Sequence, residues 1–192
     1  MRPYPLSCDA LVDDLLQDLD ALTDEVRGRF GALSAEQLAW QPSPTRWGVG
    51  HCLVHLAKTN ELYREALASA FRTAQVEGRS GRALVRGGWF GRWFTGAVGP
   101  SMRIRAKAPR SVRPPQGAPE AGSLENFLTE QQRARGLIED ARGLDLDAVR
   151  IHSPFSRLLR FRAGDALRIV VEHEKRHVKQ AVAVLGDPAF PA

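Results

Sequence analysis

Apolar positions recur every third or fourth residue through four stretches of the chain, and this spacing predicts four long helices. The first covers residues 7–30, with Leu11, Leu15, Leu19, Leu22 and Val26 on one side and aspartates among the positions facing away. The second covers 49–77. Leu53, Leu56, Tyr63, Leu67 and Ala70 make one of its sides, and Cys52, His55, Thr59, Leu62 and Ala66 the neighbouring one, an arc wide enough to face two partner helices. The third covers 123–142 and carries Leu124, Phe127, Leu128, Gln131, Leu137 and Ile138. The fourth covers 164–185 and stops at Gly186 with Pro188 beyond it, because glycine closes a helix readily and proline cannot continue one. Between the first two, Ser34-Ala-Glu-Gln37 has the form of a capping box and opens a short helix ending near Trp40. Only a short extended piece, 157–161, departs from helical spacing. The expected fold is all-α: one domain over 1–192, a four-helix bundle with one long crossover between helices 2 and 3.

That crossover, 80–122, is glycine-rich and aromatic in Gly87-Gly-Trp-Phe-Gly-Arg-Trp-Phe94 and proline-rich in Arg110-Ser-Val-Arg-Pro-Pro115. Structureless connections of this length are usually functional or mobile. It also explains the charge. The chain of 192 residues has a net charge of +5, and Arg82, Arg86, Arg92, Arg103, Arg105, Lys107, Arg110 and Arg113 all fall in this segment against the single acid Glu120. The excess therefore belongs to one surface feature. A hydrophobic fraction of 43% and a charged fraction of 26% are those of a globular chain, and no apolar run approaches the ~20 residues of a transmembrane helix. The N-terminus lacks a signal-peptide apolar core, and Cys8 and Cys52 form no disulfide framework, so a cytoplasmic location is expected.

On the fourth helix one stripe runs Ala166, Val170, His173, His177, Ala181, Val184, so two imidazoles one turn apart point where aliphatic side chains point. Lys175, Arg176 and Lys179 fall on wetter faces. Buried imidazoles need hydrogen-bond partners or a metal. His55, in the second helix, is a third inward histidine, and a bundle lets helices 2 and 4 face one core. Spacing alone leaves two readings open: a three-histidine metal site with a free position for substrate, or core histidines bonded to their surroundings. The string His173-Glu-Lys-Arg-His177 also matches the zinc-protease pattern, but the 15 residues after His177 hold no His or Glu to complete it. No Ser-His-Asp arrangement or phosphate-binding loop competes, and no catalytic or cofactor-binding residue stands out.

Leu33-Ser-Ala-Glu-Gln-Leu-Ala-Trp40 followed by Pro44-Thr-Arg-Trp-Gly-Val-Gly-His-Cys-Leu-Val-His-Leu56, with Trp47 eight residues before His55, resembles the DinB-like (YfiT-like) metalloenzyme superfamily. His173-Glu-Lys-Arg-His-Val-Lys-Gln180 is similar to the family's last-helix motif, and Lys107-Ala-Pro109, Pro114-Pro115 and Ser153-Pro-Phe155 resemble one branch of it. The resemblance implies a four-helix bundle holding a divalent ion, zinc or nickel, on His55, His173 and His177. It also implies a thiol-dependent S-transferase or a hydrolase acting on a small electrophilic substrate, with a low-molecular-weight thiol as co-substrate in the first case. The alternative is a non-catalytic helical module whose basic, aromatic crossover contacts nucleic acid, membrane or protein; nucleic acid is the less favoured partner. Homodimerisation also fits a bundle, though the pattern selects no face.

Other residues carry smaller expectations. His51, one turn before His55, takes a supporting or solvent role, and Cys52 is inert packing before it is a ligand or reactive thiol. His152 is exposed. Glu172 and Glu174 could orient ligand rings or act as bases, with Glu172 pairing to Arg176 in preference. Asn60, Tyr63 and Gln180 either shape a pocket or bond between helices. Trp89, Phe90, Trp93 and Phe94 either contact a partner or fold over the metal site as a lid. The lid is preferred, because an apolar cover excludes water from the chemistry.

Overall fold

The computed structural model describes residues 2–81, 84–101, 107–119 and 122–192, so Arg82, Arg103, Arg105 and Glu120 lie outside the described residues. The described elements run α1 (Cys8–Phe30), α2 (Ala35–Ala39), α3 (Val49–Val76), α4 (Trp89–Val98), a 3-10 turn (Arg110–Val112), α5 (Ser123–Glu139), β1 (Arg150–Ser153), β2 (Ser156–Arg162) and α6 (Ala163–Leu185). The fold is mostly helical with a small two-stranded sheet, which corrects the all-α expectation.

Local chemistry sets the helix ends. Ser7 caps α1 by accepting the Ala10 N–H at 3.1 Å. Ser34 and Gln37 complete the expected capping box, the serine hydroxyl taking the Gln37 N–H and the glutamine Oε1 taking the Ser34 N–H. α3 packs along α5 and α6, and α1 lies against the same two helices. The shared core includes Leu11, Leu15, Leu19, Leu53, Leu56, Phe127 and Leu167. Aliphatic positions at helical spacing thus end up inward, as burial of apolar surface demands.

Two features depart from the sequence reading. β1 and β2 form an antiparallel hairpin in which Ile151 faces Phe161, and both side chains are buried. The expected extended piece lies inside β2; β1, four residues long, is too short for alternation to show. The second departure is α4, a helix inside the presumed structureless crossover. Its start is held by acceptors from distant elements. Asp147 takes the Arg86 and Gly87 N–H groups at 2.9 and 3.1 Å, and Asp165, in the first turn of α6, takes the Gly88 N–H at 2.6 Å. Gly87 has φ +64°, and a β-carbon there would crowd Tyr4 and Asp165. Phe90 and Phe94 then face Phe161 of β2, with ring centroids 5.7 and 5.1 Å away.

Candidate metal centre

The site begins at a glycine. A β-carbon on Gly48 would run into the carbonyl oxygen of Trp40, so only glycine lets the chain turn from α2 into α3 this closely. His51, in the first turn of α3, braces this corner. Its Nδ1 accepts the Gly48 N–H at 3.3 Å, and its Nε2–H donates to the Gly117 carbonyl at 2.7 Å. The ring is buried, so the solvent role is corrected: Nδ1 holds the start of α3 and Nε2 ties it to the end of the crossover.

One turn later His55 points at α6. Its Nδ1 lies 2.8 Å from the Val112 carbonyl, which can only accept, so Nδ1 carries the proton and Nε2 keeps its lone pair. His177 repeats the arrangement on α6, its Nδ1 lying 3.0 Å from Gln180 Oε1. His173, one turn earlier, brings its Nε2 within 3.3 Å of His55 Nε2. The ring centroids of the three histidines lie 4.6 to 5.1 Å apart, and their donor nitrogens all lie within 4.8 Å of one another. The structure thus brings together the three predicted residues, from parts of the chain 118 positions apart.

This arrangement fits a divalent cation. Two nitrogens each ~2.0–2.1 Å from a tetrahedral ion stand roughly 3.3 Å apart, the separation seen between His55 and His173. With Nε2 of both His55 and His177 unprotonated, His173 has at most one proton to share between two lone pairs, whereas one cation would satisfy one facing nitrogen of each ring. His173 Nδ1 is also buried with no partner among the described residues. Burial, reinforced by the neighbouring imidazoles, holds the His173 pKa well below its usual value and pushes His177 down to about 3; burial lowers His55 as well. All three rings are therefore neutral near pH 7, the form that ligates metal. The Trp47 ring lies 4.9 Å from the His55 ring and 5.7 Å from His177, forming an apolar wall.

Below this layer lies a group that sequence reasoning left unplaced. Glu174 is fully buried, its Oε1 accepting the Asn60 Nδ2–H at 2.8 Å and its Oε2 the Gln131 Nε2–H at 2.7 Å. Burial pushes its pKa up to about 7. Leu167, Val171, Glu174 and Val178 share a helical stripe, and that spacing was the available signal for an inward carboxyl. Glu172 instead takes Lys175 Nζ at 2.8 Å, and the same ammonium reaches Asp18. Cys52 is fully buried and its thiol is pushed up to about 12, while His152 is exposed, its Nδ1–H donating to the Arg157 carbonyl.

The DinB superfamily pattern matches residues 18–181, from within α1 to within α6 and across all three histidines. The chain belongs to the DinB superfamily. No curated protein and no solved structure matches it. In this DinB-superfamily chain the crossover reaches the histidines through the Val112 carbonyl. Among the described residues the ring contacts of Trp89, Phe90, Trp93 and Phe94 are with one another and with Phe161, so the expected aromatic lid is corrected to a 3-10 turn at His55. None of the described helices is long and apolar enough to cross a membrane.

Proposed function

We propose that this chain is a divalent-metal-dependent enzyme on a four-helix bundle of α1, α3, α5 and α6, with His55, His173 and His177 as its ligands. It acts as a thiol-dependent S-transferase or a hydrolase on a small electrophilic substrate. The observation that carries the reading is the convergence of three neutral imidazoles, two of them with Nδ1 engaged so that Nε2 faces the others. Zinc or nickel held there supplies Lewis-acid polarisation and lowers the pKa of a thiol or water. The chain's own part is orientation: Val112 and Gln180 fix two ring planes, and Trp47 keeps one side of the cluster dry. Its own thiols do not supply a nucleophile. Cys8 and Cys52 are both buried with raised pKa values, so a transferase draws its thiol from solution.

Metal analysis of tag-free protein tests the ligand set. About one divalent ion per chain is expected, falling to roughly a tenth of that in His173→Ala and unchanged in His152→Ala. Equal metal content in wild type and His173→Ala sinks the proposal. Metal-dependent loss of free thiol against a panel of electrophiles then separates the transferase from the hydrolase.

A further inference from the structure

The outer face of α4 is unlike the rest of the surface. Trp89 is 83% exposed and Trp93 61%, one helical turn apart, with exposed Arg92 between them. This exposure does not come from a loose helix. Asp147 and Asp165 hold the three N–H groups that lead into α4, and the inner face is seated on Phe161. A rigid helix presenting two indoles to water needs a reason, because aromatic side chains gain most from leaving water.

The charge around it selects the partner. From 78 to 119 the sequence contains no Asp or Glu, and the described Arg86, Arg92, Lys107, Arg110 and Arg113 are all exposed. Beside α4 opens a cleft of about 220 Å³ lined by Pro3, Tyr4, Arg92, Thr95 and Arg168. Arg168 is only 9% exposed, and no carboxylate among the described residues pairs with it. Its Nη2 donates to the Arg2 carbonyl at 2.7 Å, its guanidinium lies 3.7 Å from the Tyr4 ring centre, and its Nε has no partner. A permanently charged guanidinium in the wall of a cleft beside a second arginine is suited to an anionic oxygen.

We propose that the outer face of α4 is a docking surface for anionic phospholipid bilayers. Trp89 and Trp93 enter the boundary between headgroups and acyl chains, and Arg92 and Arg168 receive a headgroup phosphate in the cleft. Indoles partition to that boundary because they combine a large apolar area with one N–H donor, and basic side chains beside them add attraction to anionic lipid. A single-stranded nucleic acid fits less well. Its bases need free aromatic faces along a groove, whereas one face of Trp93 is already stacked on Phe90 at 5.8 Å and 28°. The absence of a membrane-crossing helix among the described residues makes the contact peripheral.

Co-sedimentation of the full chain with vesicles tests this. Vesicles of roughly three parts phosphatidylcholine to one part phosphatidylglycerol should bind about tenfold more protein than pure phosphatidylcholine, with a blue shift of tryptophan emission. The Trp89→Ala/Trp93→Ala double variant should lose about tenfold in binding while its thermal midpoint stays within about 2 °C, and Arg92→Gln should weaken the salt dependence. Wild-type binding by the double variant, or equal binding to neutral vesicles, overturns the proposal. So does tighter binding to a single-stranded oligonucleotide that the same double substitution abolishes. A concentration-dependent dimer lost in the double variant, without lipid binding, would assign the face to a second copy of the chain instead.

Discussion

The Nδ1–H of His55 donates to the backbone carbonyl of Val112 at 2.8 Å, joining the second turn of α3 to the 3-10 turn of the crossover. This bond fixes which nitrogen faces α6 and holds the turn over the ring. The Val112 side chain is fully buried, so its packing sets where that carbonyl sits.

Val112→Ala should therefore affect both packing and metal. Loss of the buried branched methyls costs about 1–2 kcal/mol, roughly 2–8 °C in thermal midpoint for a chain of this size. Metal affinity should fall about tenfold as the carbonyl moves off His55. Melting curves and competitive zinc titration read the two effects. An affinity equal to wild type alongside the stability loss would show that the carbonyl does not orient the ring.

Gln180 makes a cleaner separation. It is exposed, and its Oε1 accepts the His177 Nδ1–H. Gln180→Leu should leave the thermal midpoint of metal-free protein within about 2 °C of wild type while lowering zinc affinity about 10- to 100-fold. Gln180→Glu, which keeps the acceptor, should retain the affinity. If the leucine variant binds zinc as wild type does, the His177 tautomer is set by something else.

Much of this was legible in the sequence because periodicity reports burial. Leu11 through Val26, and Ala166 through Val184, marked α1 and α6 to within a residue or two, and the His173/His177 stripe placed both rings inward. The capping box at Ser34 and Gln37 was readable because its chemistry is local. α4 was missed because glycine content drew the eye, although Phe90, Phe94 and Val98 recur at helical spacing and pack against the core. The partners of His51 and His55, the Gly117 and Val112 carbonyls, were not legible. Backbone oxygens carry no sequence signature, and the two segments meet only through the tertiary fold.

Gly48 tests how tightly the site depends on its corner. Gly48→Ala drives a β-carbon into the Trp40 carbonyl oxygen and to 2.9 Å from its carbonyl carbon, so α2 and α3 must separate. A loss of at least about 2 kcal/mol is expected, together with weaker zinc binding, because His51 and His55 lie in the first two turns that move. Gly96→Ala is the control. Nothing lies within 4 Å of its added β-carbon, and alanine favours the helix there by about 1 kcal/mol. Chemical denaturation of both variants compares them directly; a Gly48→Ala protein as stable as wild type would mean the corner relaxes freely.

Glu174 makes stability depend on pH. Burial pushes its carboxyl up to about 7 from an ordinary 4.5, an effect that the Asn60 and Gln131 N–H groups only partly offset. The folded chain thus holds this proton more tightly than the unfolded chain does. The resulting stability is complete below pH 4.5 and is lost as pH rises through about 7, above which the fold carries a buried carboxylate. Glu174→Gln removes that ionisation at nearly constant shape. Its amide N–H groups can satisfy Asn60 Oδ1 or Gln131 Oε1, which lack partners, once those amides rotate. In chelator-treated protein at about pH 8 the variant should gain roughly 1–3 kcal/mol over wild type, and near pH 4.5 the gain should vanish. Denaturation at both pH values decides: an equal difference at the two would show that this carboxyl does not titrate across the interval.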